Sequence, residues 1–212
     1  MLHPSVFPYF SQYINSATTR SSIGLNIGTA FLFGSLGSIK PYKGHERVIK
    51  AMNRITQQIG EGKAKLLIAG PADPTYLTEL QELAGPDVIF WDQFIQHTLI
   101  PNVMSQCDTS VCEFRDIWGS GSVVLALSFG VPVIAPNIGC LSDYVTEGEQ
   151  GILFDRNQKD ALLNAMLQML KRGRNTDTSN STQAFNQRLA PEQIAKQLAT
   201  IYTKTMVPKN SF

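Results

Sequence analysis

Cysteine and histidine are scarce in this sequence. Its three cysteines (Cys107, Cys112 and Cys140) are odd in number and none stands in a CxxC pair, which argues against a disulfide scaffold and a zinc ribbon. The three histidines (His3, His45 and His97) are scattered, so no metal is expected. Neither sign of charge is in excess: 18 Lys/Arg face 17 Asp/Glu over 212 residues, a formal net charge of +1. Nothing global points to a nucleic acid partner or to an acidic solvating tail. No basic region followed by an apolar stretch opens the chain, so no secretory signal is visible. The long uncharged run, residues 117–142, reaches the length of a bilayer span. It is broken by Gly119, Gly121, Gly130, Pro132, Pro136 and Gly139, which a continuous membrane helix would not tolerate. A buried helix, a tight turn and a buried strand fit it better. What these absences leave is a globular protein without a transmembrane segment, expected in the cytoplasm and at most peripheral to a membrane.

What is present is apolar residue in short runs. Hydrophobic residues make up 43% of the chain, enough for a sizeable core. Strands are expected at 30–33, 65–70, 87–91, 109–112, 131–135 and 151–154, each almost wholly apolar. Between them, helical spacing recurs at 48–59, 75–83, 97–106, 122–129 and 160–170, with a helical turn at 141–146. Near-continuous apolar strands alternating with helices predict an α/β fold, a doubly wound parallel sheet covered on both faces. Residues 30–172 are read as this Rossmann-like domain and 1–29 as a lead-in with one charge, Arg20. Residues 173–212 are read as a polar linker (GRNTDTSNST) and a C-terminal helix from Pro191 to Tyr202.

Charge is segregated along the chain. Residues 31–66 carry seven Lys/Arg against two acids, whereas 67–170 carry three against thirteen. In a doubly wound sheet, ligands bind beyond the carboxyl ends of the strands, where loops meet helix N-termini. Two loops there have anion-binding chemistry. The first is Gly34-Ser-Leu-Gly37-Ser38-Ile-Lys40-Pro-Tyr-Lys43-Gly44, whose glycines allow close backbone approach and whose lysines supply point charges. It has neither GxGxxG nor Walker spacing, and a plain glycine turn with solvated lysines would read the same way. The second is Arg115-Asp116-Ile-Trp-Gly119-Ser120-Gly121-Ser122, where free amides and serine hydroxyls at a helix start would form an anion nest. Ordinary N-capping by Ser120 or Ser122 accounts for that loop equally.

The run FLFGSLGSIKPYKG, then LLIAG, then FRDIWGSGSVVLALSFGVPVIAPNIG and GILF resembles the C-terminal, donor-binding domain of a GT-B glycosyltransferase. The group it resembles is the large retaining family 4 (glycosyl transferases group 1), over about residues 28–172. His3-Pro4 and Arg20 look like that family's interdomain lead-in. The resemblance implies transfer of a sugar from a UDP- or GDP-type nucleotide-sugar, with retention and without a metal or other cofactor. It implies that Lys43 holds the leaving diphosphate, with Gly37, Ser38 and Lys40 beside it and Ser120, Gly121 and Ser122 forming the amide site. Ser38 stands where the family has an arginine, and Lys40 is a substitute charge. The family's two glutamates are replaced by Ile117 and Leu125, so ribose recognition departs from the pattern at Leu125. Arg115 and Asp116 are the neighbouring candidates for the catalytic, sugar-facing role, and Gly139 lies in the loop expected to approach the sugar.

A GT-B enzyme works in the cleft between two domains. The resemblance therefore also implies a partner, an N-terminal domain or a separate chain. Two other readings stay open: a non-catalytic nucleotide-sugar-binding or regulatory module on the same fold, and a dinucleotide-binding domain.

Overall fold

Six parallel strands form one sheet in the order β3-β2-β1-β4-β5-β6. They are β1 (Phe31–Leu36), β2 (Ala64–Ala69), β3 (Val88–Trp91), β4 (Thr109–Val111), β5 (Val133–Pro136) and β6 (Gly151–Phe154). The computed structural model describes residues 4–13, 24, 27–174 and 179–206; His3, Arg20 and residues 175–178 of the expected linker lie outside them. The doubly wound α/β reading holds. So does the division of residues 117–142 into helix, turn and strand, and no helix among the described residues is long and apolar enough to cross a membrane.

Alternation along the strands sends side chains to two separate cores. Phe31, Phe33, Leu66 and Ile68 pack with Val48, Ile49, Met52 and Ile55 of α2 (His45–Ile59) and with Leu163 and Met166 of α6 (Ala161–Arg172). Leu32, Leu36, Leu67 and Ala69 pack on the other face. Covering them there are α4 (Ile100–Gln106) and α5 (Gly121–Ser128). A short helix α3 (Pro74–Leu83) follows β2, its N-terminus capped by Asp73 accepting from the Thr75 and Tyr76 amides.

β1 runs three residues further than the apolar pattern predicts, straight through Gly34. A Cβ at Gly34 would strike the Cys107 side chain, so here glycine marks a close approach and not a strand end. The last expected element also changes. Within the polar stretch, α7 (Ser179–Arg188) precedes α8 (Pro191–Met206). Residues SNSTQAFNQR have little intrinsic reason to be helical. The helix is held by Phe185, which is 1% exposed, and by Asn186 donating to the Ser128 carbonyl at 3.0 Å. Burying one phenylalanine contributes roughly 1.5–3 kcal/mol, enough to fix a short polar helix.

The N-terminal segment closes the same face. Phe7 of α1 (Phe7–Phe10) and Phe10 pack on Phe129 with ring centroids 5.9 and 6.3 Å away. The Ser5 amide donates to Leu189 O at 2.7 Å, and its hydroxyl bonds Asn186 and lies 3.2 Å from the Ser128 hydroxyl. The N-terminal segment and the end of α7 therefore meet at the carboxyl end of α5.

Candidate active site

Strand order reverses between β1 and β4, and a crevice opens at that switch point beyond their carboxyl ends. Two loops meet there. After β1, Gly37 (φ +112°) donates to Ala69 O at 2.8 Å. The chain then makes one 3₁₀ turn, Pro41–Lys43, and enters α2 through Gly44 in the left-handed region (φ +63°). After β4, residues 112–120 lead to the start of α5. Two bonds stitch the loops together: Arg115 N–H to Tyr42 O at 2.7 Å, and the Ser122 hydroxyl to Leu36 O at 3.2 Å.

Between them lies a cavity of about 450 Å³. Of the residues singled out in the sequence, Gly37, Ser38, Lys43, Ser120, Gly121, Ser122 and Leu125 line it. The 3₁₀ turn folds the Lys43 side chain back under the loop, so that its Nζ stands 2.7 Å from where a Cβ on Gly37 would be. Any larger residue at 37 would displace the ammonium. Lys43 is 8% exposed, and no hydrogen bond or ion pair is made by its Nζ among the described residues. Burial lowers its pKa, the expected penalty for a desolvated ammonium.

The two serines divide their labour. Ser120 is the N-cap of α5, accepting from Val123 N at 3.2 Å, and the Ser122 proton goes to Leu36 O. What remains for an anion is the Ser120 hydroxyl proton and the pair of amides at Gly121 and Ser122, which take no partner among the described residues, with the helix dipole behind them.

Four of the expected residues stand elsewhere. Lys40 is exposed just before the 3₁₀ turn. Arg115 is exposed and pairs with Glu46 at 3.0 Å; Asp116 is exposed beside it. None of the three lines the cavity. Gly139 (φ +57°) packs against the carbonyls of Ile117 and Trp118. It fixes the loop that forms a wall without touching the cavity.

The structure adds residues that sequence reasoning did not name. Gly70 and Pro71 after β2, Phe94 and Ile95 after β3, and Ile100 at the start of α4 complete the wall. Each follows a strand's carboxyl end, the rule that had located the two loops. Tyr42 stacks on Phe114, centroids 6.5 Å apart and planes at 15°. Behind the loops, Glu113 is fully buried and one of its oxygens meets Arg47 at 2.6 Å and Arg156 at 3.0 Å. Arg156 also donates to Arg115 O at 2.8 Å. That one carboxylate thus ties the loop after β4 to α2 and to the loop after β6.

His45, the first residue of α2, is 1% exposed and neither ring nitrogen has a partner. Burial first, and then the neighbouring Lys43 charge, hold its pKa down at about 3. The imidazole is neutral in the native state, while the unfolded chain protonates it near pH 6.5. Below that value the unfolded state binds the extra proton, so His45 costs stability as pH falls towards 3, by up to roughly 1.4 kcal/mol per pH unit. Urea unfolding at pH 7 and pH 5 should show a larger loss for the native chain than for His45→Phe. Equal losses would mean that the imidazole titrates normally.

Comparisons with known proteins agree with this geometry. The family model for glycosyl transferases group 1 matches residues 19–187. The GDP-mannose:glycolipid 4-beta-D-mannosyltransferase of Xanthomonas campestris pv. campestris is 28% identical over 141 residues, 64% of this chain and 39% of that protein. The D-inositol 3-phosphate glycosyltransferase of Corynebacterium glutamicum (strain R) is 27% identical over 159 residues, 72% of this chain and 38% of that protein. Among solved structures, Anabaena HepE in complex with UDP superposes with a TM-score of 0.76 at 22% identity, covering 92% of this chain and 55% of that one. Sucrose-phosphate synthase from Thermosynechococcus elongatus gives 0.71 at 22% identity, covering 96% and 49%. The two structures share the fold, and the chain spans about two fifths of the length of the curated relatives. On the extent of the family match, this chain belongs to the glycosyl transferases group 1 family.

Proposed function

We propose that the chain is the donor-binding half of a glycosyltransferase, which takes a sugar from a UDP- or GDP-type nucleotide-sugar and acts with an N-terminal domain or partner chain that brings the acceptor. The observation that carries this is Lys43: a buried lysine whose ammonium opens on the cavity, meets no partner among the described residues and stands beside the Gly121 and Ser122 amides. A protein keeps such a charge at a cost in stability, and a diphosphate offsets that cost. The relatives fit: one is named for a GDP-mannose donor and one solved neighbour is a complex with UDP.

In the reaction, negative charge grows on the departing diphosphate. Lys43 Nζ and the Gly121 and Ser122 amides are already oriented before that charge appears, so they stabilise it without reorganising. They take the place of a metal ion, and this reading assigns the chain no cofactor. Ser38 and Lys40 belong to the diphosphate side; Arg115, Asp116 and Gly139 belong to the loops on the sugar side. Retention follows from the family resemblance. The β linkage in the Xanthomonas relative's name is that protein's own, and a product of inverted configuration by NMR would replace retention here.

Thermal unfolding tests the reading. At saturating UDP or GDP, near 100 times Kd, linkage adds about 2.7 kcal/mol, which raises Tm by roughly 5–10 °C in a chain of this size. A rise with NADH instead would favour a dinucleotide-binding domain, and no rise with any of the three would remove the donor-binding reading.

A further inference from the structure

Resting on the donor-binding reading, we propose that this site recognises its nucleotide through the diphosphate and an apolar wall, and is indifferent to the 2′-hydroxyl of the ribose. It should therefore accept 2′-deoxynucleoside diphosphates about as well as the ribonucleotides.

The argument starts from helix geometry. Gly121, Ser122 and Leu125 all line the cavity, and Leu125 stands four residues after Gly121 and three after Ser122, on the same face of α5. A rise of about 1.5 Å per residue puts Leu125 about 6 Å along the axis from the Gly121 amide. Leu125 is thus a cavity-lining residue about one turn behind those amides, within reach of a group attached to a phosphate bound there. In a nucleotide this group is the ribose. Leu125 is half-buried and packs with the hydrophobic core, and the wall around it continues in Ile100, Phe114 and Ile117.

A ribose diol is ordinarily picked out by a carboxylate that accepts from its hydroxyls. Among the described residues lining this cavity there is no carboxylate and no side-chain amide. The side-chain oxygens that do line it belong to Ser38, Tyr42, Ser120 and Ser122. Two of those, Ser120 and Ser122, are committed at the diphosphate end. The nearby acids are used elsewhere: Glu113 by Arg47 and Arg156, and Glu46 by Arg115. A site built to hydrogen-bond a hydroxyl rejects the analogue lacking it by a large factor, because its own polar groups are then stranded. A hydrocarbon wall has nothing to strand, so losing the hydroxyl costs it little.

Isothermal titration of the chain with UDP against dUDP, and GDP against dGDP, reads this directly. The expected ratio of dissociation constants is within about threefold. In Leu125→Glu, the carboxylate meets the diol and the ratio should move to about tenfold or more in favour of the ribonucleotide. Leu125→Met controls for packing and should keep the native ratio. A native preference of tenfold or more for UDP or GDP would overturn this inference and leave the donor-binding reading intact. If neither ribonucleotide binds, both fall.

Discussion

Replacing Lys43 with methionine is expected to weaken UDP or GDP binding by about 10- to 150-fold and, in the same protein, to raise the melting temperature of the free chain. The first effect follows from losing a charge-assisted contact worth about 1.5–3 kcal/mol. The second follows from burial. Lys43 is 8% exposed and its ammonium meets no partner among the described residues, so the native state carries a desolvation cost. A methionine of similar length fills the space under Gly37 and removes that cost, for a gain of about 1 kcal/mol or 2–4 °C. Calorimetric titration and thermal unfolding measure the two halves. Unchanged nucleotide affinity would sink the assignment of Lys43. A variant that lost both affinity and stability would show the lysine to be a packing residue of the loop. Opposite signs for binding and stability are the mark of a group kept for a ligand.

Glu113→Ala is the change expected to cost most stability. The carboxylate is fully buried and both its ion pairs go to arginines that reach solvent, Arg47 at 40% and Arg156 at 23% exposure. Removing one partner of a buried pair typically costs 3–5 kcal/mol. Because the arginines can rehydrate, the lower figure applies, about 3 kcal/mol, which is a fall of roughly 6–12 °C in Tm. Glu113→Gln keeps the volume and one acceptor and should lose distinctly less. Denaturant unfolding decides the point, and a loss below about 1 kcal/mol would class the three side chains as a solvent-screened surface cluster.

Most of the sheet was legible in the sequence because its strands, β4 apart, are apolar runs, and a strand buried on both faces has to read that way. The two loops that line the cavity were legible for a related reason: in a parallel sheet the crevice lies beyond the carboxyl ends of the strands, and both loops follow strands there. Three things were not. α7 has a single buried apolar side chain, Phe185, too little for a periodic signal to form. Phe94 and Ile95 are isolated apolar residues on a connection and join the cavity through tertiary folding alone. Arg115 and Asp116 attracted attention as charges next to the amide loop, yet adjacency in sequence does not set direction. Both lie exposed, Arg115 bound to Glu46. Ser120 and Ser122 do line the cavity, where the Ser122 proton goes to Leu36 O while Ser120 accepts from Val123 N and keeps its own proton to donate.

The meeting of the N-terminal segment and α7 behind α5 has a consequence in time. A ribosome releases Lys43 early and Gly121 and Ser122 much later, yet the helix presenting those two amides is backed by Phe185 and Leu189. Its last carbonyl, that of Ser128, also accepts from Asn186 of α7. Every residue that touches the cavity can thus be synthesised while the helix behind it still lacks its support. A nascent chain stopped short of α7 would carry every residue that lines the cavity while α5 still lacked the packing behind it.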